Sequence, residues 1–315
     1  MRLLRAELRK LNRPLLWGVT LAAMLFCVLL AIGGAANAHR YTVEATRPVS
    51  CSAMGVPEGP ACADVRARMG DRLAENRRQM LSAATRTSAQ LNPVAAGAEA
   101  AGLMASLPGA LVLALLAGGH VGGEWSGRTL KNVLTQCGHR WRVLVAKFVS
   151  LWLAGVGVIA ACWAALTVAG PILTRAYRLP DPHEPVGQAA TWAGSQAGRS
   201  LLVLAAFAGI GLLAAVVTRG TIGTMATSAG IDIAMLVAAA VPGIGRWTPA
   251  TWVQGWMGFA AGQRSITALP DNFWSRFIGS GGATPGHLFG LVGLSATLAV
   301  CGVAALALFR RAEVT

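Results

Sequence analysis

Six apolar runs, at about residues 15–36, 101–121, 148–170, 200–217, 222–241 and 285–309, leave this chain few ways to fold. Each approaches or exceeds the ~18 residues that cross the hydrocarbon core of a bilayer. In that solvent an unpaired backbone N–H or C=O is too costly to keep, so each run must close its own hydrogen bonds as a helix. With 54% apolar and only 13% charged residues over 315 positions, the chain is too apolar for a soluble protein of its length. The expected fold class is an all-α integral membrane protein with six transmembrane helices.

The formal charge of +14 would point to nucleic acid in a soluble chain. Here cations flank spans and set their orientation, so the partner is the lipid bilayer and no nucleic acid is expected. The opening residues MRLLRAELRKLNR carry Arg2, Arg5, Arg9, Lys10 and Arg13, with Leu4, Leu8 and Leu11 at helical spacing. They read as an amphipathic helix over 1–14 lying on an anionic membrane surface, turned by Pro14 into the first span. Ala36-Asn37-Ala38 resembles a signal-peptide cleavage site, but the preceding run is longer than the ~7–15 residues of a signal core, so the span is expected to be retained.

Residues 37–100 form a large helical outer loop in this reading. Asp64/Arg68, Arg68/Asp71 and Glu75/Arg78 stand at helical pairing distances, beside a narrow stripe of Val65, Met69 and Leu73. Long loops translocate despite their arginines, so the eight in this one do not fix orientation. Six spans put both termini on one side, together with residues 122–147, Arg219, Arg310-Arg311 and all three lysines, which makes that side cytoplasmic. Arg outnumbers Lys, and Ala and Gly are plentiful, as in a GC-rich bacterial genome, so a bacterial plasma membrane is expected. Outer segments are expected at 171–199 and 242–284, and a cytoplasmic tail at 310–315. Trp247, Trp252 and Trp256 suit an outer interfacial or re-entrant helix. Gly118/Gly122, Gly119/Gly123 and Gly286/Gly290 read as close helix packing.

Few residues point to chemistry. Lys10, Lys131 and Lys147 are followed by Leu11, Asn132 and Phe148, so none completes the Gly-Lys-Ser/Thr of a phosphate-cradling loop. His39, His120, His139, His183 and His287 share no metal or triad spacing, and no metal site is expected. Cys27, Cys162 and Cys301 fall in spans as small hydrophobes, and Cys137 is expected reduced. Cys51 and Cys62 share the outer loop, where oxidation is permitted, and stand as a candidate disulfide. Asp232, inside TSAGIDIAML, is the sharpest intramembrane charge; it reads either as a functional carboxylate for a proton or cation or as a helix-packing carboxyl.

The stretch GGEWSGRTLKNVLTQCGHRWRVLVAK, 122–147, is a basic hinge between two apolar runs. Glu124, Arg128 and Asn132 stand one helical turn apart, Leu130, Val133 and Leu134 mark an apolar side, and Gly138 breaks the pattern. Physically this is a short amphipathic helix on the cytoplasmic face or an ordinary solvated loop. Glu124, Gly127-Arg128-Thr129-Leu130-Lys131, Leu134-Thr135, Arg140 and Ala146-Lys147 resemble the segment after span 2 in the permease subunits of ABC transporters of the exporter-type ABC-2 class. The opening AELRKLNR is similar to that family's membrane-surface entry helix. Arg128 is inserted between Gly and Thr here, and Cys137-Gly138-His139 replaces the family's usual turn.

The resemblance implies a permease without catalysis of its own. A separate cytoplasmic ABC-type ATPase would hold ATP and Mg and dock on a coupling surface of Glu124, Gly127, Arg128, Thr129, Leu130, Lys131, Leu134, Arg140 and Lys147. A second permease copy or homologue would complete the pathway, and the cargo would be amphiphilic or hydrophobic. Two other readings stand beside it: an ion-coupled carrier using Asp232, and a membrane scaffold or sensor acting through its outer loop.

Overall fold

The computed structural model describes residues 2–12, 14–47, 59–127, 140–181, 185–239, 241, 243–258 and 286–311. It is helical, with no strand among the described residues. An interfacial-length helix α1 (Arg2–Leu11) precedes α2 (Pro14–Thr46), α3 (Pro60–Gln90), α4 (Ala96–Met104) and α5 (Leu107–Ala117). A π-helical turn (Gly118–Gly122) joins α5 to the short α6 (Gly123–Ser126). Then follow α7 (Arg140–Ala176), α8 (Val186–Thr218), α9 (Thr221–Ala239), α10 (Pro249–Met257) and α11 (His287–Arg311). Six of these stretches are long and apolar enough to cross a membrane: α2, α5 through α6, α7 from Trp141, α8, α9 and α11.

Helix α8 is the pillar of the bundle, packing against α4, α5, α7, α9 and α11. Its apolar window is 67% enclosed by protein, against 22% for α2, α9 and α11, whose outer faces remain available to lipid. The main core draws Cys27, Leu103, Leu113, Leu151, Val158, Leu204 and Leu294 from six helices. A second, smaller core of Val121, Val143, Leu144, Val216 and Phe309 caps one end of the bundle, where Leu3 of α1 packs against it. That end, which also carries α6 and the start of α7, is the hinge end.

Helices run further than the apolar runs alone indicate, because polar residues at their ends stay on helical spacing and find partners. Helix α2 continues past Asn37 to Thr46, and α3 packs along it. Within α3, Arg68 pairs with Asp64, and Glu75 reaches Arg78 at 3.8 Å. Pro171 does not end α7, which runs on to Ala176. There Arg178 takes a left-handed conformation and Leu179 N–H donates to Thr174 O at 3.0 Å, a Schellman closure. Helix α8 begins at Val186, so most of the expected outer segment 171–199 is helical.

The largest departure from expectation lies before span 2. Residues 96–104, counted in part with the outer loop, form α4, and every one of them is buried. Ser106 is extended and Pro108 opens α5, so the entry to span 2 is a broken helix. Close packing accounts for Gly118, Gly119, Gly122 and Gly290, where a Cβ would strike Met225, Leu15, Thr224 and the Trp252–Trp256 backbone respectively. It does not account for Gly286, which faces open space, or for Gly123, whose Cβ would meet only ordinary contacts.

Gly122→Ala is expected to lower the melting temperature of the purified protein in detergent, because the new Cβ would lie 2.7 Å from Thr224 Oγ1 and 2.8 Å from Gly220 O. Overpacking of this kind costs about 1–3 kcal/mol. Gly230→Ala, in open space on the same α9, is expected to be neutral or to stabilise by up to about 1 kcal/mol.

Candidate functional site

Four charged side chains meet at the hinge end, from three parts of the chain. Glu7 and Lys10 stand one turn apart on α1, Glu124 sits on α6, and Lys147 lies in the second turn of α7. Lys147 Nζ donates to Glu7 Oε2 at 3.0 Å and to Glu124 Oε2 at 2.6 Å. Lys10 Nζ donates to Glu7 Oε1 and to Glu124 Oε1, each at 3.0 Å. The result is a closed ring of alternating sign, in which each carboxylate gives one oxygen to each ammonium. Glu7, Glu124 and Lys147 are buried, while Lys10 keeps a third of its side chain exposed.

Burial alone would lower the affinity of Lys10 for its proton, but the hydrogen bonds and charges of Glu124 and Glu7 outweigh it and hold the ammonium above its ordinary range. Charge compensation makes the rest of the ring tenable as well. Two buried carboxylates and two ammoniums sum to zero, and the close geometry offsets the loss of water.

A π-helical turn supplies the register. Its extra residue, at a run of glycines that lets α9 approach closely, turns His120 and Glu124 toward α1 and α7. Ser150 O–H donates to Lys147 O at 2.9 Å, so its oxygen is left to accept from His120 Nε2–H at 3.0 Å. The same nitrogen lies 3.4 Å from Glu7 Oε2. Trp125, next to Glu124, packs edge-on against Phe309 and carries the Arg219 guanidinium 5.4 Å from its ring. Arg219 itself is left-handed at the tight turn between α8 and α9.

The structure therefore gathers two of the residues expected at the coupling surface, Glu124 and Lys147, and places them inside the protein rather than on its surface. Gly127 ends α6, its N–H bonded to Gly123 O at 2.9 Å, and Arg140 opens α7. Arg128, Thr129, Leu130, Lys131 and Leu134 lie outside the described residues. Cys62 is disulfide-bonded, and Cys51 lies outside the described residues. Sequence reasoning missed Glu7, although a clue was present. It shares the helix face of Leu3, Leu4 and Leu11, so an acid sits on the apolar side of α1, while Leu8 points outward. It also missed Glu99, a carboxylate buried in α4 near Cys27.

Asp232 occupies the inner face of α9 with Thr224 and Ser228, one turn apart each, all three buried. Thr224 O–H donates to Gly220 O at 2.6 Å, whereas Asp232 Oδ1 has no hydrogen-bond partner. Trp256 Nε1 donates to Arg199 O at 2.9 Å and Trp252 Nε1 to Arg246 O at 3.1 Å, so these tryptophans fasten α10 to its neighbours. Among the described residues no three His, Cys, Asp or Glu side chains could hold a metal ion.

No family model, curated protein or solved structure matches this chain.

Lys147→Met is expected to destabilise the protein by about 3–5 kcal/mol, since two buried carboxylates would be left to Lys10 alone. Adding Glu124→Gln to that variant should cost less than the sum of the two single changes, a coupling that a double-mutant cycle in detergent melts would read. Because the proton affinity of Lys10 is raised on folding, its contribution is complete below the usual lysine value of 10.5 and lost as pH rises through the higher folded value. Alkaline melts of wild type should show that loss, and Lys10→Met should lack it.

Proposed function

We propose that this chain is the permease subunit of an ATP-driven transporter of the exporter-type ABC-2 class, in a bacterial plasma membrane. The observation that carries the reading is the charged ring at the hinge end. Both flanks of segment 128–139 are fastened to it, through Glu124 before the segment and Lys147 after it, and α1 is fastened to the same ring through Glu7 and Lys10. A force applied to the segment would therefore reach spans 2 and 3 and the entry helix together, as a rigid body.

In this reading the chain does no chemistry. A cytoplasmic P-loop ATPase binds and hydrolyses ATP with Mg, and its movement is delivered through Arg128, Thr129, Leu130, Lys131 and Leu134. Buried Glu124 and Lys147 brace that surface from inside rather than touching the partner. A second permease copy or a homologue forms the other half of the pathway. The apolar bundle suits an amphiphilic or hydrophobic cargo moved outward.

Affinity purification of the full chain from its native membrane should recover a soluble P-loop ATPase. Arg128→Glu should reduce that recovery about tenfold or more, since a like-charge contact in an interface costs several kcal/mol, while membrane insertion stays unchanged. An intact complex that contains no such ATPase would overturn the proposal. Transport that survives ATP depletion and stops with an uncoupler would instead assign an ion-coupled carrier.

A further inference from the structure

The four buried carboxylates among the described residues have different surroundings. Glu7 and Glu124 are neutralised by the ring, and Glu99 has an interaction partner of its own. Asp232 is 5% exposed, and no hydrogen bond or ion pair reaches it from any described residue. It lies on the face of α9 that also carries Thr224, Ser228 and Met235, one turn beyond Ser228, whose Oγ would lie 3.8 Å from a Cβ at Gly211 of α8, and α9 packs against both α5 and α8. The opposite face of α9 presents Ile222, Ile233 and Val237 outward. A carboxylate on an outward face could reach lipid headgroups or water; this one is turned into the bundle.

We infer that Asp232 is the counter-ion of an organic cation bound between α5, α8 and α9, so that the cargo class is a lipophilic amine or quaternary ammonium. A divalent metal ion is held by several ligands at once, and among the described residues no three His, Cys, Asp or Glu side chains stand together to hold one. An organic cation needs one carboxylate for its charge and apolar surface for its body. The face of α9 offers that combination: Asp232 for the charge, the Met235 thioether and adjoining core for the body, and the Ser228 hydroxyl one turn away. A net charge of +14 disfavours diffuse binding of cations elsewhere on the chain, which makes a buried acid the discriminating contact. The carboxylate is enclosed in this arrangement, so cargo reaches it when α9 parts from α5 and α8. The inference deepens the transport proposal by naming its cargo class, and binding can be measured without any ATPase.

The test uses the full chain in nanodiscs of phosphatidylcholine, with ethidium as the cationic probe and fluorescein as an anionic one, read by fluorescence anisotropy. Wild type should bind ethidium saturably and leave fluorescein free. Asp232→Asn should weaken ethidium binding at least tenfold, Asp232→Glu should restore it to within about threefold, and Asp64→Asn on the outer helix should leave it unchanged. If Asp232→Asn elutes as a misfolded species, the decision passes to Asp232→Glu, whose failure to bind as a folded protein overturns the inference. Equal binding by wild type and Asp232→Asn, equal binding of both probes, or no ethidium binding by wild type also overturns it. Ethidium binding that depends on Asp232, in a chain that recovers no ATPase, would keep this site and remove only the coupling proposal.

Discussion

The charged ring of Glu7, Lys10, Glu124 and Lys147 sets the terms for the hinge end of the molecule. Removing such groups from water is costly, and their mutual attraction repays that only when every charge is met at close range. Here all four contacts lie between 2.6 and 3.0 Å, and the alternation leaves no net charge to solvate. The arrangement also makes its members interdependent. If α1 lifts away, Glu124 and Lys147 face each other with half their partners gone. The same lift exposes Leu3 and uncovers the small core of Val121, Val143 and Phe309. A surface helix of ten residues would be marginal by itself. Through the ring it becomes a fixed part of the bundle.

Burial of Glu124 and Lys147 changes how the hinge can work. Residues inside the fold cannot be the surface a partner reads, so their place in the proposed coupling set becomes mechanical. They decide how stiffly segment 128–139 is joined to the spans on either side. His120 and Ser150 extend that stiffness one turn deeper, and the Trp125–Arg219 contact ties it to the α8–α9 turn. Motion entering at the hinge would thus be delivered to α9 as well as to α7.

Much of the architecture was legible because burial in a bilayer leaves a long, simple signal. The apolar run at 148–170 falls inside α7, that at 285–309 lies inside α11 from His287 onward, and the charge pairs of residues 64–78 lie on α3 as read. What escaped the sequence was pairing between distant charges. Nothing local connects Glu7 with Lys147, and a basic N-terminal segment reads most simply as a lipid-facing helix. Glu99 escaped for a related reason. Ala-rich α4 is too short to register as a span, so its acid was counted with the outer loop, although the broken helix carries it into the core. Pro171 and the polar start of α8 were read as breaks, yet helix persists through both because neighbouring helices supply the packing.

The two kinds of buried carboxylate also constrain each other. The sequence has three lysines, and two of them close the ring at the hinge end. The described intramembrane portion of α9 contains no basic residue to meet Asp232, and its nearest polar companions on that face, Ser228 and Thr224, are hydroxyls. Thr224 already turns its proton to Gly220 O. Glu7 and Glu124 are neutralised within the fold, whereas no described residue neutralises Asp232, which leaves a proton or a cationic ligand to do so. If a proton alone sufficed, a neutral amide of the same shape would serve that position equally well. Requirement of the carboxylate for cation binding, and not merely for folding, is therefore the property that separates a site from a packing residue.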